Sequence, residues 1–171
     1  MSQLIADCVY YILEYLEDEE ATLFSCLIVS RLWCEVAVEI LWRNGLRYEA
    51  KSYITLVACL PRESIETLHG NGIFIQAPTS KPPMFNYAAF CKSLSIYAIQ
   101  FNVKILIENH GETISTQDFK NFKKNILILM QEILKLFMSQ ISSLKSLYIN
   151  SPSYVNTLTT YPGAENCLRN L

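Results

Sequence analysis

Six cysteines and two histidines are the side chains best suited to chemistry in this 171-residue sequence. The strongest catalytic arrangement they offer pairs Cys91 as a thiolate with His110 or His69 as its base, oriented by Glu108 or Asp118. Such a thiol needs a local signature that presents it, and none surrounds Cys8, Cys26, Cys34, Cys59, Cys91 or Cys167. No glycine-rich phosphate loop and no paired-carboxylate motif accompanies them. No Cys-x-x-Cys occurs, and the histidines complete no metal set with any cysteine, so neither a metal nor a cofactor is expected. In a reducing compartment the six thiols are expected to stay free and pack as small hydrophobes. The sequence therefore predicts no catalytic residue and no enzyme.

What remains is a folded chain that binds. Hydrophobic residues make up 51% and charged residues 18%, enough apolar material for a core and too little charge for disorder. The longest apolar stretch, Ile126 to Met138, is broken by Gln131, Glu132 and Lys135 and falls short of the ~20 residues a bilayer crossing needs, so no membrane contact is expected. Met1-Ser2-Gln3 lacks the positive start of a signal peptide, and no Asn-x-Ser/Thr acceptor is present. The expected location is the cytoplasm, the nucleus or both.

Charge divides the chain. Residues 1 to 42 hold eight acids, Asp7, Glu14, Glu17, Asp18, Glu19, Glu20, Glu35 and Glu39, against the single base Arg31. The bases beyond residue 42 are spread too thinly for a nucleic-acid stripe, and Lys120, Lys123 and Lys124 read as a solvated helix face. No nucleic-acid partner is expected.

The elements that position these residues begin with three short helices. The first runs from Leu4 to Leu16 with a stripe at Ile5, Val9, Ile12 and Leu16. The second covers about Thr22 to Ile28, with the acidic run Glu17 to Glu20 placed where carboxylates favour a helix start. The third spans about Ser30 to Trp42, its stripe passing through Val29, Trp33, Val36 and Ile40 before Asn44-Gly45 stops it. Of these 42 residues 28 are hydrophobic, more than three short helices can hide, and a unit this small is unstable alone without disulfides, metals or association. Residues 46 to 87 read as a helical hairpin around Pro61 followed by a Pro/Gly-rich connection with one brief strand at Ile73-Phe74-Ile75. Beyond it lie a helix near Ala98 to Glu108, a turn at Asn109-His110-Gly111, and a long helix signalled by Ser115 or Thr116 with Asp118. Phe119, Phe122, Ile126, Met130, Ile133, Phe137 and Ile141 form its core stripe.

Leu144-x-x-Leu147-x-Ile149-Asn150 has the spacing of a leucine-rich-repeat strand, and Leu168-x-x-Leu171 restarts it 24 residues later. Cys91, Leu94 and Ile96 fit the same template 53 residues earlier, about two repeat lengths. The fold class expected is mainly α (α+β): a three-helix module over 1 to 45, a helical linker over 46 to 87, and the start of a leucine-rich-repeat-like α/β solenoid over 88 to 171.

Leu4, Ile12-Leu13-Glu14-Tyr15-Leu16, Leu23, Leu27-Ile28-Val29-Ser30-Arg31-Leu32-Trp33 and Leu41-Trp42 give residues 4 to 42 a pattern that resembles the F-box family, with Ile5 where that family has Pro. Cys59-Leu60-Pro61, Asn71-Gly72-Ile73, Pro78 to Pro83 and Phe85-Asn86-Tyr87 resemble segments of F-box proteins with leucine-rich-repeat-like domains from arbuscular mycorrhizal fungi. The resemblance implies a substrate-recruiting adaptor of a cullin-RING ubiquitin ligase. It implies two partners: the Skp adaptor subunit, bound through Leu4, Ile5, Ile12, Leu16, Leu27, Val29 and Trp33, and a protein substrate the sequence does not name. It also implies a shortened family member in which Leu144, Leu147 and Ile149 have a neighbour on one side at most, so that residues 143 to 171 are the least stable part. The contrasting expectation is a non-catalytic interaction protein outside ubiquitin transfer, or a truncated product without substrate-binding capacity.

Overall fold

The computed structural model describes residues 3–76, 81–110, 119–149 and 157–171, and the chain is mainly helical with one small parallel sheet. It separates into two compact units, Met1–Asn44 and Gly45–Leu171.

In the first unit α1 is Gln3–Tyr15, α2 Glu20–Cys26 and α3 Arg31–Leu41. Ser30 starts α3 from an extended backbone, its hydroxyl accepting from the Trp33 N–H at 3.4 Å. α3 packs against both α1 and α2, and Val9, Leu13, Leu23, Cys26, Ala37 and Ile40 form the buried centre. The stripe expected on α1 is rotated. Val9 and Leu13 point inward with Leu16 against them, whereas Ile5 and Ile12 are each 51% exposed. At roughly 100° per residue Val9, Leu13 and Leu16 fall within about 60° of one another, and Ile5 and Ile12 lie off the edge of that arc.

The second unit opens with a 3₁₀ turn, Gly45–Arg47, followed by α4 (Ala50–Ala58) and α5 (Arg62–Gly70), with Pro61 just before α5 at φ −63°. Pro61 suits that place because its missing N–H would have no intrahelical partner. No strand forms at Ile73-Phe74-Ile75. Gly72, at φ +75°, ends α5 in the left-handed conformation; its N–H donates to the His69 carbonyl and that of Ile73 to the Leu68 carbonyl, both at 2.9 Å. This is a Schellman closure, in which the buried Ile73 supplies the apolar contact that follows the glycine. Its N–H is thereby taken by the helix end.

The rest of the unit is α6 (Tyr87–Phe90), β1 (Ser93–Ser95), α7 (Ile96–His110), α8 (Phe119–Gln140), β2 (Ser146–Tyr148) and α9 (Ala164–Cys167). Helix α8 packs against α5, α6, α7 and α9. Ile126, Met130, Ile133, Phe137 and Ile141 of the expected stripe are buried, and so are Leu129, Leu134, Leu136 and Met138, which face other directions. Neighbours thus cover most of the circumference of its second half, leaving Gln131, Lys135 and Ser139 as a narrow exposed polar stripe. Glu132 is enclosed with them, its carboxylate accepting from Lys135 Nζ at 2.6 Å. Phe122 is half-buried, the Phe119 side chain lies outside the described residues, and so do the helix-start signals Ser115, Thr116 and Asp118.

The strands β1 and β2 pair in parallel with Leu94 opposite Leu147. Because they are immediate neighbours, the 53-residue interval between their templates is one crossover through α7 and α8, not two repeat lengths. The 24-residue interval is not a strand repeat either: residues 168 to 170 are turn, and the Leu171 N–H donates to the Leu168 carbonyl at 3.2 Å. The chain end is partly closed by other means. Leu158, Ala164 and Cys167 are buried, and the Cys167 carbonyl accepts from the Leu144 N–H at 2.9 Å.

Gly163 lets that closure form. It has φ +83°, and a Cβ there would lie 2.4 Å from the Met138 carbonyl oxygen. Gly163→Ala is expected to destabilise the chain by about 1–3 kcal/mol through strain and displacement of α9. Gly70→Ala, with nothing within 4 Å, is expected to be neutral or slightly stabilising. Urea unfolding of the two variants beside wild type checks the contrast.

Candidate interaction surface

The structure buries the best catalytic candidate. Cys91 is fully buried, its thiol donates to the Ser93 carbonyl at 3.3 Å, and burial pushes its pKa up. A nucleophilic cysteine needs the reverse, a thiol drawn down by positive charge. His69 stacks on Phe74 with ring centroids 5.0 Å apart, and Glu108 pairs with Lys104 at 3.7 Å. The His110 side chain and Asp118 lie outside the described residues. Around Cys91 burial also raises the phenols of Tyr48 and Tyr53, and the Tyr53 hydroxyl has no hydrogen-bond partner among the described residues. Among those residues no three His, Cys, Asp or Glu side chains are grouped to hold a metal ion.

The surface that stands out belongs to the first unit. On α1 the residues facing away from the helix packing are Ile5, Cys8, Tyr11, Ile12 and Tyr15, all exposed, with Tyr11 at 71% and Tyr15 at 94%. At 100° per residue these five occupy an arc of about 120° that begins beside Val9 and has its centre about 120° from that of Val9 and Leu13. The turn between α2 and α3 adds exposed Ile28 and Val29, and α2 adds Phe24. Scattered apolar exposure is ordinary, whereas a helix face of this composition is a candidate interaction surface.

The seven residues expected to make contact divide on this basis. Ile5, Ile12 and Val29 are exposed. Leu16, Leu27 and Trp33 are half-buried against the three-helix core and belong first to its packing. Leu4 lies in α1 with its side chain outside the described residues. Sequence reasoning missed Cys8, Tyr11, Tyr15, Phe24 and Ile28; projecting α1 at 100° per residue would have found the first three.

It also missed Arg43, which holds this unit together from its far end. Its guanidinium donates through Nη1 to Glu14 Oε1 at 3.0 Å and through Nη2 to the Tyr10 hydroxyl at 2.8 Å, with Glu17 Oε2 at 3.6 Å. One planar fork thus ties the end of the unit to three residues in and just beyond α1. Burial raises the Tyr10 phenol, and Arg43 acts against that rise.

Compared with known proteins, the chain matches no family model, no curated protein and no solved structure.

Arg43→Met should cost the first unit about 1–2 kcal/mol, since bonds to charged groups are worth more than neutral ones, and Arg43→Lys should recover only part because it loses the fork. Hydrogen exchange of the α1 amides gives the readout. In the second unit burial raises the Cys167 thiol to about 11, and that of Cys91 upward as well. The unfolded chain releases these protons near pH 9, before the folded one. Their contribution is therefore complete below about pH 9 and lost as pH rises towards about 11. Circular dichroism across that range should show unfolding that is shallower in Cys167→Ala.

Proposed function

We propose that this chain is an F-box-type adaptor that recruits a protein substrate to a cullin-RING ubiquitin ligase, binding the Skp adaptor subunit through its first unit. The F-box-like pattern of residues 4 to 42 supports the reading. The observation that carries it is the outward turn of Ile5, Ile12 and Val29, exposed by 51%, 51% and 61% on a unit too small to stand as an isolated domain. In this reading Leu4, Ile5, Ile12 and Val29 touch the partner, joined by Tyr11, Tyr15, Phe24 and Ile28, while Leu16, Leu27 and Trp33 hold the helices that present them. The leucine-rich-repeat-like character of the second unit belongs to the same proposal. It draws support from the parallel pairing of β1 and β2 and from the helical crossover between them. The second unit would then hold the substrate.

Such an adaptor performs no bond chemistry. It raises the effective concentration of substrate at the ubiquitin carrier by making a bimolecular encounter intramolecular. The reading places the protein with the ubiquitin machinery of the cytoplasm or nucleus.

Co-purification of the full chain with the Skp adaptor tests it. A stoichiometric complex is expected, and Ile5→Asp with Ile12→Asp should weaken it at least tenfold, about 1.4 kcal/mol, with circular dichroism unchanged because both positions are exposed. No complex with the wild-type chain, or equal binding by the folded double variant, would refute the proposal.

A further inference from the structure

We infer that the second unit binds a small neutral molecule, a single ring or a branched chain of similar size that carries one hydroxyl or carbonyl, in the cavity between α8 and residues 157 to 161. The inference goes beyond the adaptor reading and does not depend on it, since the docking face of that reading belongs to the first unit. The cavity measures about 120 Å³ and is walled by Leu127, Met130 and Leu134 of α8 and by Leu158 from the later segment. Apolar cavities of roughly 150 Å³ stay dry and take up benzene, so the room here is that of one ring.

The walls are formed without a ligand. Met130, Leu134 and Leu158 are buried, and the mouth lies where Leu127 and Gln131 reach solvent. In the later segment the Thr160 N–H donates to the Thr157 carbonyl at 3.2 Å, that of Tyr161 to Leu158 at 3.3 Å and that of Ala164 to Tyr161 at 3.1 Å, so successive turns hold this wall in place.

Two polar side chains line the same cavity with their hydrogen-bonding capacity unspent. The Tyr161 hydroxyl and the Gln131 amide make no hydrogen bond among the described residues. Tyr161 is half-buried, and desolvation, with the nearby Glu132 carboxylate, raises its phenol and keeps the hydroxyl neutral. Gln131 can donate or accept, so between them the two groups meet either a hydroxyl or a carbonyl. Apolar walls with a few convergent polar groups are the usual composition of a small-molecule site. Among the described residues no charged side chain lines the cavity, so an ionic ligand would be buried there without a counterion, at a cost a neutral one does not meet. Water is a poor occupant as well, because the leucine and methionine walls give it no partners.

Methyl-detected NMR of the full chain, titrated with benzyl alcohol, benzene and benzoate, tests the inference. Benzyl alcohol and benzene are each expected to shift the Met130, Leu134 and Leu158 methyl signals saturably. Benzoate, the same ring with a charge, should bind about tenfold more weakly or worse. Tyr161→Phe should weaken benzyl alcohol several-fold and leave benzene as tight or tighter, a split that a merely structural role of the hydroxyl would not produce. Leu134→Phe, which fills the cavity, should abolish binding of both with circular dichroism unchanged, and if that variant does not fold the Tyr161→Phe comparison still decides. No saturable shift with either neutral probe, benzoate as tight as benzyl alcohol, or benzyl alcohol binding Tyr161→Phe and wild type alike would overturn the inference and leave the adaptor reading standing.

Discussion

Helices of 13, 7 and 11 residues can each turn only one face to a shared centre, and that geometric limit governs the first unit. Its centre takes Val9, Leu13, Leu23, Cys26, Ala37 and Ile40, with a ring of half-buried residues around them. The outer face of α1 then has nothing left in the unit to pack on, although it is built from Ile5, Cys8, Tyr11, Ile12 and Tyr15. Burying one large apolar side chain is worth about 1.5–3 kcal/mol, so leaving several in water is a cost that association with another molecule would recover. The proposed function follows from that surplus, whereas the cysteines contribute packing.

The same limit explains why Arg43 matters. A unit with so small a core depends more heavily on the few polar ties that close it. Arg43 is the residue that reaches Tyr10, Glu14 and Glu17 together. Because its guanidinium is planar and keeps its charge, one side chain both satisfies Tyr10 and offsets two of the eight carboxylates.

The second unit solves the problem of burial differently. A 22-residue helix, α8, is long enough to be surrounded, and four other helices pack on it. Burial of most of its second half, with only the stripe Gln131, Lys135 and Ser139 left exposed, encloses the one carboxylate there, Glu132, which pairs with Lys135 one turn away. The two strands are short, and Gly45 allows the close approach of the chain to β1, since a Cβ there would fall 2.5 Å from the Ser93 carbonyl oxygen. Thiols in this interior, Cys91 and Cys167, are held protonated by burial, which makes them poor nucleophiles and good packing groups.

Periodicity and punctuation, read from the residues alone, determined the helices. Val9, Trp33, Ile126, Met130, Ile133 and Phe137 recur at helical spacing, and Ser30 and Pro61 mark helix starts whose conformations each residue type prefers. These are local effects, set by neighbours within a turn or two, and for that reason they survive without knowledge of the fold. Tertiary structure decided which part of each stripe turns inward. Ile5 and Ile12 are as apolar as Val9 and Leu13, and only the placement of α3 makes one pair core and the other surface. It also decided strand from turn. Ile73-Phe74-Ile75 and Leu168-x-x-Leu171 have strand composition, but a strand exists only where another backbone lies alongside to take its hydrogen bonds. β1 and β2 find each other across 53 residues, while Ile73 gives its N–H to a helix end and Leu171 gives its own to Leu168. Pairings such as Arg43 with Glu14, 29 residues apart, are invisible to spacing for the same reason: the contact is made by the fold, after the helices have formed.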